Sequence, residues 1–231
     1  EVELDEDLVT AYKDALQKRC THIPLQHITG VQNFMGLDFM VNEHVLIPRF
    51  DTEILVEEVM KFLHDGFSIL DMCTGSGCIL LSLLKYSNDC KGLGVDISAD
   101  ALAVANTNKE KLGIEASFIE SNLFEQVEGT FEIIVSNPPY IKTEEIDTLM
   151  PEVREHEPMS ALDGDSDGLK LYREIIKKAN KYLTNHGQIF FEIGCEQGAD
   201  VSVLLKEHGF TNIRVSKDLA GLDRVVSATL A

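Results

Sequence analysis

The chain has 231 residues, a net charge of −19, 44% hydrophobic and 26% charged residues. That length suits one main core with a small appendage, and the composition is that of a globular protein rather than a disordered one. The acidic balance argues against a partner gripped over the whole surface through phosphates, because such binding draws on Lys and Arg displacing counterions. The longest apolar-leaning run, Cys78 to Leu84, falls far short of the roughly 20 residues that span a bilayer, and no basic-then-apolar leader opens the chain. Cys20, Cys73, Cys78, Cys90 and Cys195 lack a paired zinc-type spacing. The expectation is a soluble, cytoplasmic protein with reduced thiols, no metal and no membrane contact. Because it opens on Glu1 rather than Met, the chain is read as a piece of a longer protein.

In chain order, Leu8, Tyr12, Ala15 and Leu16 fall at helical spacing within residues 5–19, and Pro24 breaks that run. The stretch "HITGVQNFMGLDFMV" sets Val31, Asn33 and Met35 on one side of a run and Leu37, Phe39 and Val41 on another, with Gly36 between, which predicts a β-hairpin. Asp51 and Thr52 start a helix carrying Ile54, Leu55, Val59 and Leu63. From "FSILDM" at 67–72 onward, strand-like and helix-like segments alternate. The strands are 91–96, "ASFIE", "FEIIVS", 187–194 and two last ones near 210–216 and 224–230. The helices lie at 99–111, 169–183 and 197–208. This order predicts an α/β, Rossmann-like fold: a mostly parallel seven-stranded sheet with helices on both faces. In such a sheet, ligands sit outside the carboxyl ends of the strands. Loops 71–77, 96–98 and 137–140 all lie on that rim.

The first of these loops reads "DMCTGSGC". Gly75 and Gly77 allow close backbone approach, and the following helix offers unpaired N–H groups. Asp96 ends the next strand, where a carboxylate can accept from ribose hydroxyls. Leu80 occupies the place of the third fingerprint glycine and no Gly-Lys-Ser/Thr is present. An adenosine-type ligand without phosphates, such as S-adenosylmethionine, fits better than a dinucleotide or a nucleoside triphosphate.

In "EIIVSNPPYIK" the strand must stop at Asn137, because proline has no N–H for a sheet ladder and its ring fixes φ. The following proline also holds Asn137 extended. The Asn137 side-chain oxygen and the Pro138 carbonyl oxygen then form two close acceptors for the hydrogens of an NH₂ group, with Tyr140 adding an aromatic face. That pattern suits methyl transfer to a planar nitrogen.

At these residues the chain resembles the class I methyltransferases with an Asn-Pro-Pro-aromatic motif, and more closely the release-factor glutamine N5-methyltransferases. The resemblance runs through "PLQHITGVQNFMGLDFMV", "VLIPRFDTEILVE", "LDMCTGSGC", "VDISADALAVANTN", "IVSNPPYI", "EPMSALDGDSDGLKLYREI", "EIGCEQG" and "KDLAGLDRVV". It implies S-adenosylmethionine as methyl donor and the glutamine of the Gly-Gly-Gln loop of peptide chain release factors as acceptor. It assigns cofactor binding to Asp71, Cys73, Thr74, Gly75, Ser76, Gly77, Asp96, Ile97 and Asn137, with Asn122, Leu123 and Phe124 bordering the adenine. The acceptor grip falls to Asn137, Pro138, Pro139 and Tyr140, with Asn137, Pro138 and Tyr140 as the catalytic set. Arg49, with Thr52 and Glu53, shapes the entrance.

The same resemblance reads residues 1–23 as the remnant of a helical N-terminal domain, 24–48 as a hairpin linker and 49–231 as the methyltransferase domain. The chain departs from the family pattern in having Cys73 for glycine and Asn122 for aspartate. The alternative reading is an amino-methyltransferase acting on a nucleic-acid base, which shares Asn-Pro-Pro-Tyr and which the negative charge disfavours. A non-catalytic cofactor-binding module has no need of that motif. "DGDSDGLKLYRE", 163–174, matches a calcium-loop expression, but Leu171 replaces a polar ligand there, and a solvated acidic loop with Asp167 near a helix cap is preferred.

Overall fold

The structure, a computed structural model, describes residues 5–231. Helix α1 (Glu6–Cys20) starts where the Asp5 side chain accepts from the Asp7 N–H. The helical spacing is realised, yet no α1 residue is buried, and Leu8, Tyr12 and Leu16 face outward. Arg19 ties the helix to Glu152 at 2.7 Å. A short helix that the sequence reading did not foresee, α2 (Leu25–Thr29), leads into strands β1 (Val31–Phe34) and β2 (Leu37–Met40). These pair antiparallel around Met35 and Gly36, both left-handed, which is the backbone a two-residue hairpin turn requires. The alternation of β1 is realised, with Gln32 and Phe34 inward and Val31 and Asn33 on the other side. Phe34 and Phe39, fully buried, meet edge to face at 6.1 Å.

The remaining elements are α3 (Phe50–Met60), β3 (Ser68–Met72), α4 (Cys78–Lys85), β4 (Lys91–Asp96), α5 (Ala99–Leu112), β5 (Ser117–Glu120) and β6 (Phe131–Ser136). Then follow α6 (Thr143–Ile146), α7 (Pro151–Arg154), a 3-10 turn at Met159–Ala161, α8 (Lys170–Ala179), β7 (Leu183–Glu192), α9 (Gly198–Glu207), β8 (Phe210–Lys217) and β9 (Asp223–Leu230). The sheet order is β5-β4-β3-β6-β7-β9-β8, parallel except for the pairings of β9.

Both sheet faces are covered, and strand side chains alternate between two cores as a period of two demands. Ile69, Ile133, Val135 and Phe190 pack with α3, α4 and the hairpin phenylalanines. Leu70, Ile134, Ile189 and Phe191 pack with Tyr172, Ile175 and Ile176 of α8 and with Val201 and Leu205 of α9. Burial of each such side chain contributes roughly 1.5–3 kcal/mol. The order reverses between β3 and β6, so the switch point lies where these two strands end. No helix among the described residues is long and apolar enough to cross a membrane.

Candidate active site

Sheet register brings the rim residues together. Met72 pairs with both Val95 and Ser136, and Ser136 pairs with Phe191. The next residues along, Asp96, Cys73, Asn137 and Glu192, therefore form one row across four adjacent strands. A cleft of about 1020 Å³, with the space at its mouth included, opens over Asp96, Cys73 and Asn137 of this row.

Its cofactor-side wall contains Cys73, Thr74, Gly75, Ser76, Asp96, Ile97, Asn122 and Leu123. Gly75 takes φ +54 with open space where a Cβ would stand. Asp96 organises this wall: Oδ2 accepts from the Gly75 N–H at 2.9 Å and Oδ1 from the Ser98 N–H at 3.0 Å. Burial raises the pKa of this carboxyl, while the Ser98 and Gly75 N–H groups pull it back. Each oxygen retains a lone pair for a further donor.

Three of the expected cofactor residues stand behind the wall. Asp71 is fully buried and accepts from the Thr74 hydroxyl at 2.6 Å, leaving Oδ1 unpartnered, and burial pushes it up to about 7. Gly77, the left-handed N-cap of α4, gives room for close packing, since a Cβ there would meet Phe118, Leu81 and Ala105 at 3.1–3.3 Å. Phe124 is buried and stacked on Tyr182 with 4.4 Å between ring centroids. Cys73 adopts the left-handed conformation, φ +59, that glycine would take without strain. Asn122 is exposed and donates to Glu125 at 2.9 Å.

On the acceptor side Asn137 and Pro139 line the cleft together with Thr52. The Asn137 Nδ2 lies 3.5 Å from the Thr52 Oγ1, which leaves Oδ1 for the cleft. Pro138 is buried, and Tyr140, half-buried, donates its hydroxyl to Glu192 Oε1 at 3.3 Å. Arg49 is absent from the cleft wall; it pairs with the buried Glu157 at 2.6 Å. That pair joins "IPRFDTE" to "EPMSAL", whose Pro158, Ser160 and Ala161 do line the cleft. Glu53 faces elsewhere, accepting from the Met35 N–H in the hairpin turn at 2.6 Å.

Sequence reading missed the residues that brace these loops. Asn108 of α5, fully buried, accepts from the Met40 N–H at 2.6 Å and donates to the Met40 and Ser76 carbonyls, both at 3.0 Å, fastening the hairpin to the glycine loop. Gln197 donates to the Tyr140 carbonyl at 3.0 Å and the Gly168 carbonyl at 3.2 Å while accepting from the Gly194 N–H at 2.9 Å. A polar residue inside an apolar helical stripe was the available signal for Asn108. For Gln197, whose bonds to Tyr140 and Gly168 cross long stretches of sequence, the available mark was its place in the segment "EIGCEQG". The acidic loop is occupied by its own cations and hydroxyls: Asp165 pairs with Lys170, Asp167 with Arg173, and Asp163 accepts from Thr143. Among the described residues no cluster of His, Cys, Asp and Glu could hold a metal ion.

A sheet of this order, with its cleft over the switch point, has the fold of the class I methyltransferases. A crystal structure of a methyltransferase from Pyrococcus furiosus superposes with a TM-score of 0.65 over 94% of this chain and 97% of its own, at 15% identity. Residues 49–153 match the family described as the methyltransferase small domain. A relative from Agrobacterium fabrum, named release factor glutamine methyltransferase, is 44% identical over 92% of this chain and 76% of its own length. The solved protein-(glutamine-N5) methyltransferase (release factor-specific) from Alicyclobacillus acidocaldarius is 29% identical, with a TM-score of 0.50 over 83% of this chain and 99% of its own. The chain belongs to the release factor glutamine methyltransferase family.

Proposed function

We propose that this protein transfers a methyl group from S-adenosylmethionine to the side-chain amide nitrogen of the glutamine in the Gly-Gly-Gln loop of peptide chain release factors. The observation that carries this reading is the position of Asn137, one strand over from the glycine loop, with its amide nitrogen turned to Thr52 and its oxygen left for the cleft.

The cofactor-side residues fit the donor. Asp96 keeps two lone pairs for ribose hydroxyls, Gly75 leaves open space beside it, and the wall next to Leu123 is apolar enough for a purine ring. When bound, S-adenosylmethionine supplies a methyl group on a sulfonium, an electrophile that needs no further activation. The chain's own work is on the acceptor. An amide nitrogen is a poor nucleophile because its lone pair is delocalised, as the rotation barrier of ~18–20 kcal/mol shows. The Asn137 Oδ1 and the Pro138 carbonyl accept its two hydrogens and favour a more pyramidal nitrogen, a stabilisation that grows towards the transition state. Holding the nitrogen in line with the methyl group contributes a proximity effect of up to ~7–11 kcal/mol. The methylated nitrogen is cationic and sheds its proton readily, so no strong base is needed.

The test is transfer of labelled methyl to a purified release factor, beside a factor with Gln→Ala in its Gly-Gly-Gln loop and beside DNA and RNA. Label on the unmodified factor alone is expected. The Asn137→Ala variant should lose about 10²–10³ in kcat, the cost of one preorganised transition-state contact. Label on nucleic acid, or full turnover by Asn137→Ala, would overturn the reading.

A further inference from the structure

Glu192 ends β7 one residue past the Ser136–Phe191 pair, as Asn137 does on the neighbouring strand, and is 2% exposed. Its Oε1 accepts from the Tyr140 hydroxyl, and its Oε2 has no partner. Burial raises the pKa of its carboxyl; the Thr52 hydroxyl, the Arg224 guanidinium and the Tyr140 hydroxyl work against that rise. Thr52 is the group facing the Asn137 amide nitrogen. The hydroxyl bonded to Glu192 thus belongs to a residue of the Asn-Pro-Pro-Tyr turn that flanks the acceptor position. A carboxyl here is costly to bury, and an apolar side chain of similar volume would serve the core better. At the other end of Tyr140, the carbonyl is held by Gln197 from the loop that follows β7.

We propose that Glu192 is a positioning residue for the acceptor, holding Tyr140 by its phenolic hydroxyl beside Asn137. This rests on the methyl-transfer reading above, but not on the identity of the acceptor protein. Glu192 touches neither donor nor acceptor; it sets the direction of the groups that do. Its contribution should therefore appear in kcat and leave cofactor binding alone.

The experiment compares Glu192→Gln, Tyr140→Phe and the double variant. Glu192→Gln should lower kcat about tenfold, the difference between a hydrogen bond to a charged group and one to a neutral acceptor. The calorimetric Kd for S-adenosylmethionine should stay within about twofold and Tm should not fall, because a buried ionisable group has been replaced by a neutral one. The double variant should lose no more than the worse single variant, since Tyr140→Phe deletes, and Glu192→Gln strips the charge from, the same hydrogen bond. Additive losses, an unchanged kcat, or a loss that comes with weaker cofactor binding and lower Tm would each overturn the proposal. A second readout needs no acceptor: the ring ¹³C resonance of Tyr140, assigned with Tyr140→Phe, should shift in Glu192→Gln. An unmoved resonance sinks the proposal even if the methyl acceptor is another protein, and failure of wild-type transfer with a shifted resonance would count against the acceptor assignment alone.

Discussion

The Arg49 guanidinium meets the Glu157 carboxylate at 2.6 Å, and Glu157 Oε1 also accepts from the Ile47 N–H at 3.4 Å. The entry to α3 and the segment after α7 are therefore fastened at one buried point. Burial raises the Glu157 pKa and Arg49 opposes that rise. Arg49→Met should lower stability by about 1–3 kcal/mol, the cost of an unsatisfied buried group, and should raise KM for the protein acceptor because Pro158 and Ser160 line the cleft. Urea unfolding and acceptor titration check both effects. An unchanged midpoint would mean that protonation of Glu157 absorbs the loss.

Asp71 predicts a pH-dependent stability. Its folded pKa of about 7 lies above the ordinary 3.8, so folding favours the neutral form. Stability therefore falls as pH rises between these two values and is level above them. Asp71→Asn removes that slope while keeping an acceptor for Thr74. The variant should gain on the wild type from pH 4 to pH 7, reaching roughly 4 kcal/mol at about 1.36 kcal/mol per unit. Parallel slopes in the two proteins would refute the assignment.

Cys73 holds φ +59 with a side chain attached. The left-handed conformation costs a non-glycine residue ~1–2 kcal/mol, while glycine brings back ~0.5–1 kcal/mol in unfolded-chain entropy. Cys73→Gly should raise stability by up to about 1 kcal/mol with cofactor affinity unchanged. A lower Tm would show that the thiol's packing outweighs the strain.

Gly168 has φ +73, and a Cβ there would stand 2.4 Å from the Tyr140 carbonyl oxygen and 2.6 Å from Gln197 Nε2. Gly168→Ala should cost about 2–4 kcal/mol from strain and overpacking together, and should depress kcat while the Kd for the methyl donor holds. Gly129→Ala is a suitable control, since Gly129 also has positive φ but has nothing within 4 Å.

The strands, the long helices and the rim loops were legible because each rests on local signals. Short apolar runs gave the sheet strands, alternation gave the hairpin, and the glycines and the Pro-Pro step gave the turns. The contents of the cleft wall were less so. Asp71, Gly77 and Phe124 belong to the right loops but face inward, because a motif records which segment comes to the rim and not which of its side chains turn towards the cleft. Glu157, Asn108 and Gln197 act across 108, 68 and 57 positions of sequence, distances over which no periodicity carries information. Helix α1 shows the converse: its spacing gave the helix correctly, but an apolar stripe does not say what it meets.

Because Asp96, Cys73, Asn137 and Glu192 follow paired residues on neighbouring parallel strands, their separation is set by the strand spacing of about 4.8 Å. The sheet thus acts as a ruler some three divisions long, with Asp96, proposed to hold the donor's sugar, at one mark and Glu192, the proposed acceptor brace, at the last. Slipping any one strand by a residue would displace its mark by ~3.3 Å and turn the side chain to the opposite face. Loosening β7 or β9, far from the glycine loop, should therefore silence methyl transfer while the donor still binds.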